Sequence, residues 1–231
     1  STRFYEEAVK DTLGKFLLTL WNSYNFFTTY AILDTFDART EQVPLSKREL
    51  LDQWIMSRFN NLIKNVQSYM NGFETHKAAR VIEDFVIDDF SNWYLRRSRK
   101  RLWNEEMTTD KLSGYHTMND IFIGLSQLLA PFIPFITEEI YQNLKTSEMP
   151  ESVHLCLYPI VDSHAIQEDL EKGMEQIRAL VESGRALRSK INIKGRHPLP
   201  AATIVCSKEA EQATKPLLEL LKEELNVKTV T

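Results

Sequence analysis

Glycine is scarce in this chain, with seven residues in 231, and cysteine is scarcer, with two. Few glycines leave few places for left-handed turns and phosphate-cradling loops, which favours long helices. Cys156 and Cys206 lie far apart and outside any CxxC pattern, so neither a disulfide framework nor a structural zinc site is expected; both are read as free, buried thiols. No apolar run approaches the ~20 residues that cross a bilayer, and no charged-then-apolar leader opens the sequence. A cytoplasmic protein with no membrane partner is expected. The HExxH pair, the nucleophile elbow and the glycine-rich phosphate loop are missing too. His76, His116, His154, His164 and His197 fall in five separate segments without helical pairing, so no catalytic residue and no metal-ligand set is assigned.

What is present is helical periodicity. Leu13, Phe16, Leu17, Leu20, Tyr24, Phe27 and Ala31 recur at spacings of three and four, which predicts a first helix over about 4–33, with Trp21 and Phe26 widening its apolar face. Asp37 to Pro44 reads as a linker, and Ser46-Lys47-Arg48-Glu49 has the spacing of a capping box before a second helix over about 47–71. Asn71-Gly72 predicts its stop in a left-handed conformation, and Thr75 is a candidate cap for a third helix running to Trp103. A fourth helix to about Ala130, a fifth from Pro134 to Leu144 and a sixth over about 164–190 follow, with Val153 to Leu157 as an extended strip. From Pro198 the pattern becomes strand, helix with a break before Pro216, and strand. The fold class is therefore mainly α, an antiparallel up-and-down bundle followed by a small α+β subdomain. The divisions are a bundle over 1–160, a long helix and basic loop over 161–197, and a strand-helix-strand unit over 198–231. A start without Met, directly in helix, and an end inside a strand suggest an excised piece.

Charge is the second signal. The net charge is −4, yet Tyr94 to Trp103 and Gly184 to His197 each carry five Lys or Arg and no acid, so the rest of the chain stands at −14 once those ten are removed. Such localisation suits a protein that meets a polyanion at one place and repels it elsewhere. The stripe Ile82, Phe85, Val86, Phe90, Trp93 runs on, at 100° per residue, into Arg96, Arg97 and Lys100. Desolvated cations need partners, and Asp88 and Asp89 are the close carboxylates on the same helix; they are read as structural counter-ions for Arg96, Arg97, Arg185 or Arg188. The remaining cations are free to grip phosphate, and aromatic and guanidinium planes can stack on unpaired bases. Tyr94 reads as a helix-surface residue. Composition alone leaves a helical protein-interaction domain with internally paired basic patches as an alternative.

DQWIMSRFNNLI (Asp52 to Ile63), FVIDDFSNWYLRRSRKRLW (Phe85 to Trp103), LLAPFIPFITEEIY (Leu128 to Tyr141), SVHLCLYP (Ser152 to Pro159) and GRALRSKINIKGRHPL (Gly184 to Leu199) resemble, in that order, the anticodon-binding region of isoleucyl-tRNA synthetases, which are class I aminoacyl-tRNA synthetases. The LLAPFIPFITEEIY phrase is shared with valyl, leucyl and methionyl relatives, so a valyl- or leucyl-type relative is the near alternative. The resemblance implies a bundle that docks the anticodon stem-loop of tRNA-Ile, with Arg96, Arg97, Arg99, Lys100, Arg101, Trp103, Arg185, Arg188, Lys194 and Arg196 as its contacts. It implies a monomeric parent ligase whose upstream catalytic and editing domains handle isoleucine, ATP and Mg. No catalytic signature and no cofactor site of that family falls in this chain. His197 stands where the family motif commonly has glutamine.

Overall fold

In a computed structural model, which describes Glu6, Lys10 and residues 13–231, two compact units divide the chain, Ser1–Ile166 and Gln167–Thr231. The part of the predicted first helix before residue 13, apart from those two residues, lies outside the described residues.

The first unit is the helical bundle. A widened, π-helical turn at Leu13–Leu17 leads into α1 (Leu18–Leu33), followed by α2 (Leu50–Asn71), α3 (Thr75–Asp84), a π-helical stretch at Phe85–Leu95, α4 (Arg96–Leu102), α5 (Thr109–Leu129) and α6 (Pro134–Leu144). Its centre is aromatic. Phe27, Phe90 and Tyr24 each pack against Phe122 of α5 with ring centroids 5.1–5.6 Å apart, in the tilted and edge-on arrangements that ring quadrupoles favour. Phe59 of α2 packs against Phe85 in a tilted arrangement at 5.6 Å. Ala130, Tyr141 and Val153 form a smaller apolar cluster where α6 folds back, and Pro134 sits in the first turn of α6 as its missing N–H allows.

Several local expectations change in the structure. Ser46 does not cap α2: Leu45–Lys47 forms a 3-10 turn, Arg48 is extended, and α2 begins at Leu50 without a side-chain cap. The cause is Arg48, which is buried and donates to the Val43 carbonyl, Thr117 Oγ1 and Gln42 Oε1, pulling its own backbone out of the helix. Thr75 is the first residue of α3 and not its cap. At the end of α2 the left-handed residue is Phe73, at φ 59°, rather than Asn71 or Gly72. Val153–Leu155 is a 3-10 turn, not an extended strip. Cys156 is only partly buried and Cys206 is exposed, so neither thiol is sealed in a core; both are free.

The second unit is built on α7 (Glu168–Lys190), β1 (Leu199–Ala202), α8 (Lys208–Thr214), a 3-10 turn over Lys215–Leu217, α9 (Leu218–Leu225) and β2 (Val227–Val230). β1 and β2 are parallel, with Leu199 opposite Val227 and Ala202 opposite Val230, so the crossover between them is helical, as parallel strands require. The break before Pro216 falls where the missing N–H predicted it. Gly173 lets α7 close onto α8, since a Cβ there would lie 2.4 Å from the Ala213 carbonyl oxygen. Leu187 of α7 is 63% exposed, although Ile177 and Val181 of the same helix are buried.

Candidate nucleic-acid interface

The helix from Thr75 to Leu102 is continuous, but its pitch changes over Phe85–Leu95. Each residue of an i→i+5 helix turns through less than the 100° of an α-helix, so eleven such residues make the buried face lag behind the α-helical wheel. After Trp93 the face that enters the core consequently carries Tyr94, Ser98 and Leu102, with Arg101 beside them, rather than Arg96, Arg97 and Lys100. The single basic segment is thereby sorted into buried and exposed cations.

Arg101 is the buried one. Its side chain is 12% exposed, and Nη2 and Nη1 donate to the two carboxylate oxygens of the wholly buried Asp52 at 2.5 and 2.8 Å. Nη1 also donates to Asp110 at 2.9 Å, and Nη2 to the Tyr94 hydroxyl and Ser98. Tyr94 donates its own hydroxyl hydrogen to Asp52 at 2.6 Å; burial above all pushes that phenol well above the ordinary range. The guanidinium lies across Gly114 of α5, where a Cβ would come within 2.8 Å of Cζ. A bidentate arginine with this many partners is not a phosphate contact, which corrects the assignment of Arg101 to RNA and of Tyr94 to the surface. Asp52 was legible in principle: it sits three and seven residues before Ile55 and Phe59, an acid on the core stripe of α2. Its partner, 49 residues on, has no local signal.

Three of the other four cations of the segment are arranged on aromatic rings. Arg96 and Arg97 stand over Trp93, with Cζ 5.7 and 5.9 Å from the ring centroid, and Arg96 Nε also donates to the Asn92 carbonyl at 3.0 Å. Arg99 is exposed and lies 5.5 Å from the centre of Phe26 in α1. Lys100 is exposed, and Trp103 is 59% exposed at the helix end. The turn after Trp103 is fixed by buried Lys111, which donates to the Asn104 carbonyl at 2.5 Å and pairs with Asp34 at 2.6 Å. Asp89 is buried and accepts from Arg58 of α2 at 2.9 Å, a cation that the spacing along one helix did not point to; Asp88 is exposed.

The second basic segment is sorted in a different way. Arg188 is buried, donating through Nη1 to the His197 and Lys194 carbonyls at 2.9 and 3.3 Å, and through Nη2 to the Leu225 and Asn226 carbonyls at 2.6 and 3.3 Å. It fastens the loop after α7 to the end of α9, which removes it from the RNA contacts. Arg185 pairs with Glu224 of α9, within its own unit, where the sequence reading named Asp88 or Asp89. Lys194 and Arg196 remain exposed on the loop that Arg188 holds, with Asn192 at φ 56° turning the chain.

A separate cavity of about 510 Å³ lies in the first unit between α2, α5 and the linkers around residues 42–45 and 159–165, lined in part by Arg48, Met56, Asn60 and Asp120. Burial pushes the Asp120 carboxyl up to about 6, against the pull of the Arg48 charge and a Gln42 hydrogen bond. Among the described residues, no three His, Cys, Asp or Glu side chains converge as metal ligands, and no helix is long and apolar enough to cross a membrane.

The sequence profile described as the anticodon-binding domain of tRNA ligase matches residues 52–203, a span that takes in both basic segments and the bundle between them. The chain belongs to this anticodon-binding domain family. The anticodon-binding domain is 42% identical over 99% of its length to the isoleucine–tRNA ligase of Clostridium kluyveri, covering 22% of that protein. It is 45% identical over 95% of its length to the isoleucine–tRNA ligase of Pyrococcus horikoshii, covering 21%, and 40% identical over 99% to that of Chlamydia trachomatis, covering 22%. It therefore spans about a fifth of the length of these relatives. The mainly helical bundle with its small α+β unit agrees with the fold that the resemblance implied.

Proposed function

We propose that this domain holds the anticodon arm of tRNA-Ile for a monomeric, cytoplasmic isoleucine–tRNA ligase, whose other domains carry out ATP- and Mg-dependent ligation. The observation that carries the reading is the sorted cationic helix end. Arg99, Lys100 and Trp103 reach solvent together, on a helix whose last turn is clamped by the Asp52–Arg101 pair. Cations on phosphates set the register of a bound RNA, while stacking and base-edge hydrogen bonds carry identity. Arg96, Arg97, Lys194 and Arg196 are further candidate contacts, some direct and some long-range; Arg185 is tied to Glu224, which offsets its charge. The contribution is affinity and discrimination, not bond chemistry.

The test is a titration of the ligase polypeptide carrying this domain with anticodon stem-loops of tRNA-Ile and tRNA-Val at two salt concentrations. The expected result is tighter binding of the tRNA-Ile loop, with log K falling by about 0.7 per phosphate contact for each unit of log salt. Binding that ignores salt, or equal binding of both loops, sinks the reading. In the first case a helical protein-interaction surface takes its place.

A further inference from the structure

The cavity of about 510 Å³ in the first unit is lined by no residue of either basic segment. Two helix stripes face into it: Met56, Asn60 and Ile63 of α2, and Asp120, Ile123 and Gln127 of α5, each at the spacings of three and four that share one side of a helix. Its walls are fixed by the chain itself. Asn60 Oδ1 accepts from the Asp162 N–H at 2.8 Å and Gln67 donates to the Pro159 carbonyl at 2.7 Å, which pins the 159–165 wall to α2. Arg48 braces the wall at 42–45, donating through Nε to the Val43 carbonyl, through Nη2 to Gln42 and through Nη1 to Thr117 of α5. The charges around the cavity do not balance. Asp120 and Asp162 line it against one cation, Arg48, whose three nitrogens are all engaged with those neutral acceptors. Asp120 has no ion pair among the described residues; it accepts a hydrogen bond from Gln42, and burial holds its carboxyl up at about 6. Two turns further along α5, the Gln127 carboxamide makes no hydrogen bond among the described residues.

We propose that this cavity binds a small organic monocation, an ammonium or amidinium carried on an apolar body, with its charged head on Asp120 and its body between Met56, Ile63 and Ile123. The site goes beyond the anticodon-arm reading and does not depend on it. A preformed, mostly apolar cavity of a few hundred Å³ with a few placed polar groups is the usual form of a small-molecule site. A carboxylate without a counter-charge, set among apolar side chains, is answered best by an N–H cation, whose hydrogen bond is charge-assisted on both sides. The Gln127 carboxamide is left for a polar group at the far end of the ligand. An anion is a poor match, because two carboxylates face it and the Arg48 donors are turned to the walls. An uncharged molecule leaves Asp120 as it was. A lysine side chain from a protein partner would answer the charge but leave most of the volume empty.

The experiment titrates the ligase polypeptide carrying this domain with 2-naphthamidine and with its uncharged counterpart 2-naphthamide, by calorimetry at about pH 8, where Asp120 is ionised. The amidine is expected to bind with a Kd of about 1 mM or tighter, and the amide about tenfold more weakly or worse. Asp120→Asn keeps the size of the side chain and removes its charge, in a variant that burial of the acid leads one to expect to be the more stable at this pH. It is expected to weaken the amidine by about tenfold to a hundredfold and to leave the amide unchanged. Ile123→Phe fills the cavity from a partly exposed position and is expected to remove both ligands. Equal binding of amidine and amide overturns the site, as does an amidine affinity that Asp120→Asn or Ile123→Phe leaves untouched, or no binding of the amidine at all. The stem-loop titrations are read separately, so either result stands or falls without the other.

Discussion

Two segments, of ten and fourteen residues, each carry five cations and no acid, and each places one arginine inside the protein, yet the two arginines are held by opposite means. Arg101 meets a full negative charge on Asp52, with Asp110, Tyr94 and Ser98 around it. Arg188 meets only carbonyl dipoles, four of them. In the first case charge cancels charge and the cost lies in desolvating both. In the second a cation gathers the orphan carbonyls that a loop and a helix end leave over, which a helix C-terminus favours in any case. A run of basic residues thus predicts a basic surface only for those members that the fold does not need.

The contrast can be broken at its stronger end first. Asp52→Ala leaves Arg101 buried without its main counter-charge and is expected to cost about 3–5 kcal/mol, read as a lower urea midpoint. Arg188→Ala releases carbonyls near the surface of the smaller unit and is expected to cost about 1.5–3 kcal/mol. Hydrogen exchange should localise that loss to residues 191–198 and the end of α9, not to the bundle. Gly114→Ala forces a methyl against Arg101 from behind and is expected to cost about 1–3 kcal/mol, with Tm as the readout.

Asp120 extends the comparison to a partly buried acid that feels the charge of Arg48, itself engaged with the Val43 carbonyl and Thr117. Its carboxyl ionises less readily in the folded chain than in the unfolded one. The unfolded chain therefore sheds the proton first, and stability falls as the pH rises from 3.8 towards about 6, with the full loss present above that. Asp120→Asn should accordingly raise stability by about 1–2 kcal/mol at pH 8 and by much less at pH 4, measured by urea unfolding at both. The smallest effect is expected from Arg99→Ala, within about 0.5 kcal/mol of the unaltered stability, while RNA binding weakens.

Helix positions were legible because periodicity reports local burial: α6 begins at Pro134 and ends at Leu144 where the pattern placed it, and the break before Pro216 follows from one missing N–H. The partners of charged residues were not legible. Arg101 and Asp52 are 49 positions apart, Arg58 and Asp89 are 31 apart, and only the packed fold brings them within reach. Caps failed where a tertiary bond won, as when Arg48 turned to Val43, Gln42 and Thr117 and left Ser46 without a helix to cap. Within the candidate interface, the cationic character of 94–103 could be read directly, whereas the identity of its outward-facing members depended on helix pitch. Phe26 was seen as a widening of an apolar face; that it supports a guanidinium depends on α1 and α4 being neighbours.

The π-helical stretch at Phe85–Leu95 acts on the binding surface as a gear acts on a shaft. It meets Arg96 and Arg97 only through the Trp93 ring and the Asn92 carbonyl, yet it sets the phase of the whole basic end, so the choice between an inner and an outer arginine is made upstream and by winding. A one-residue deletion anywhere in those eleven positions would rotate the whole basic end by a fraction of a turn. The composition would hardly alter, but Arg101 would leave Asp52 and a different residue would face Gly114.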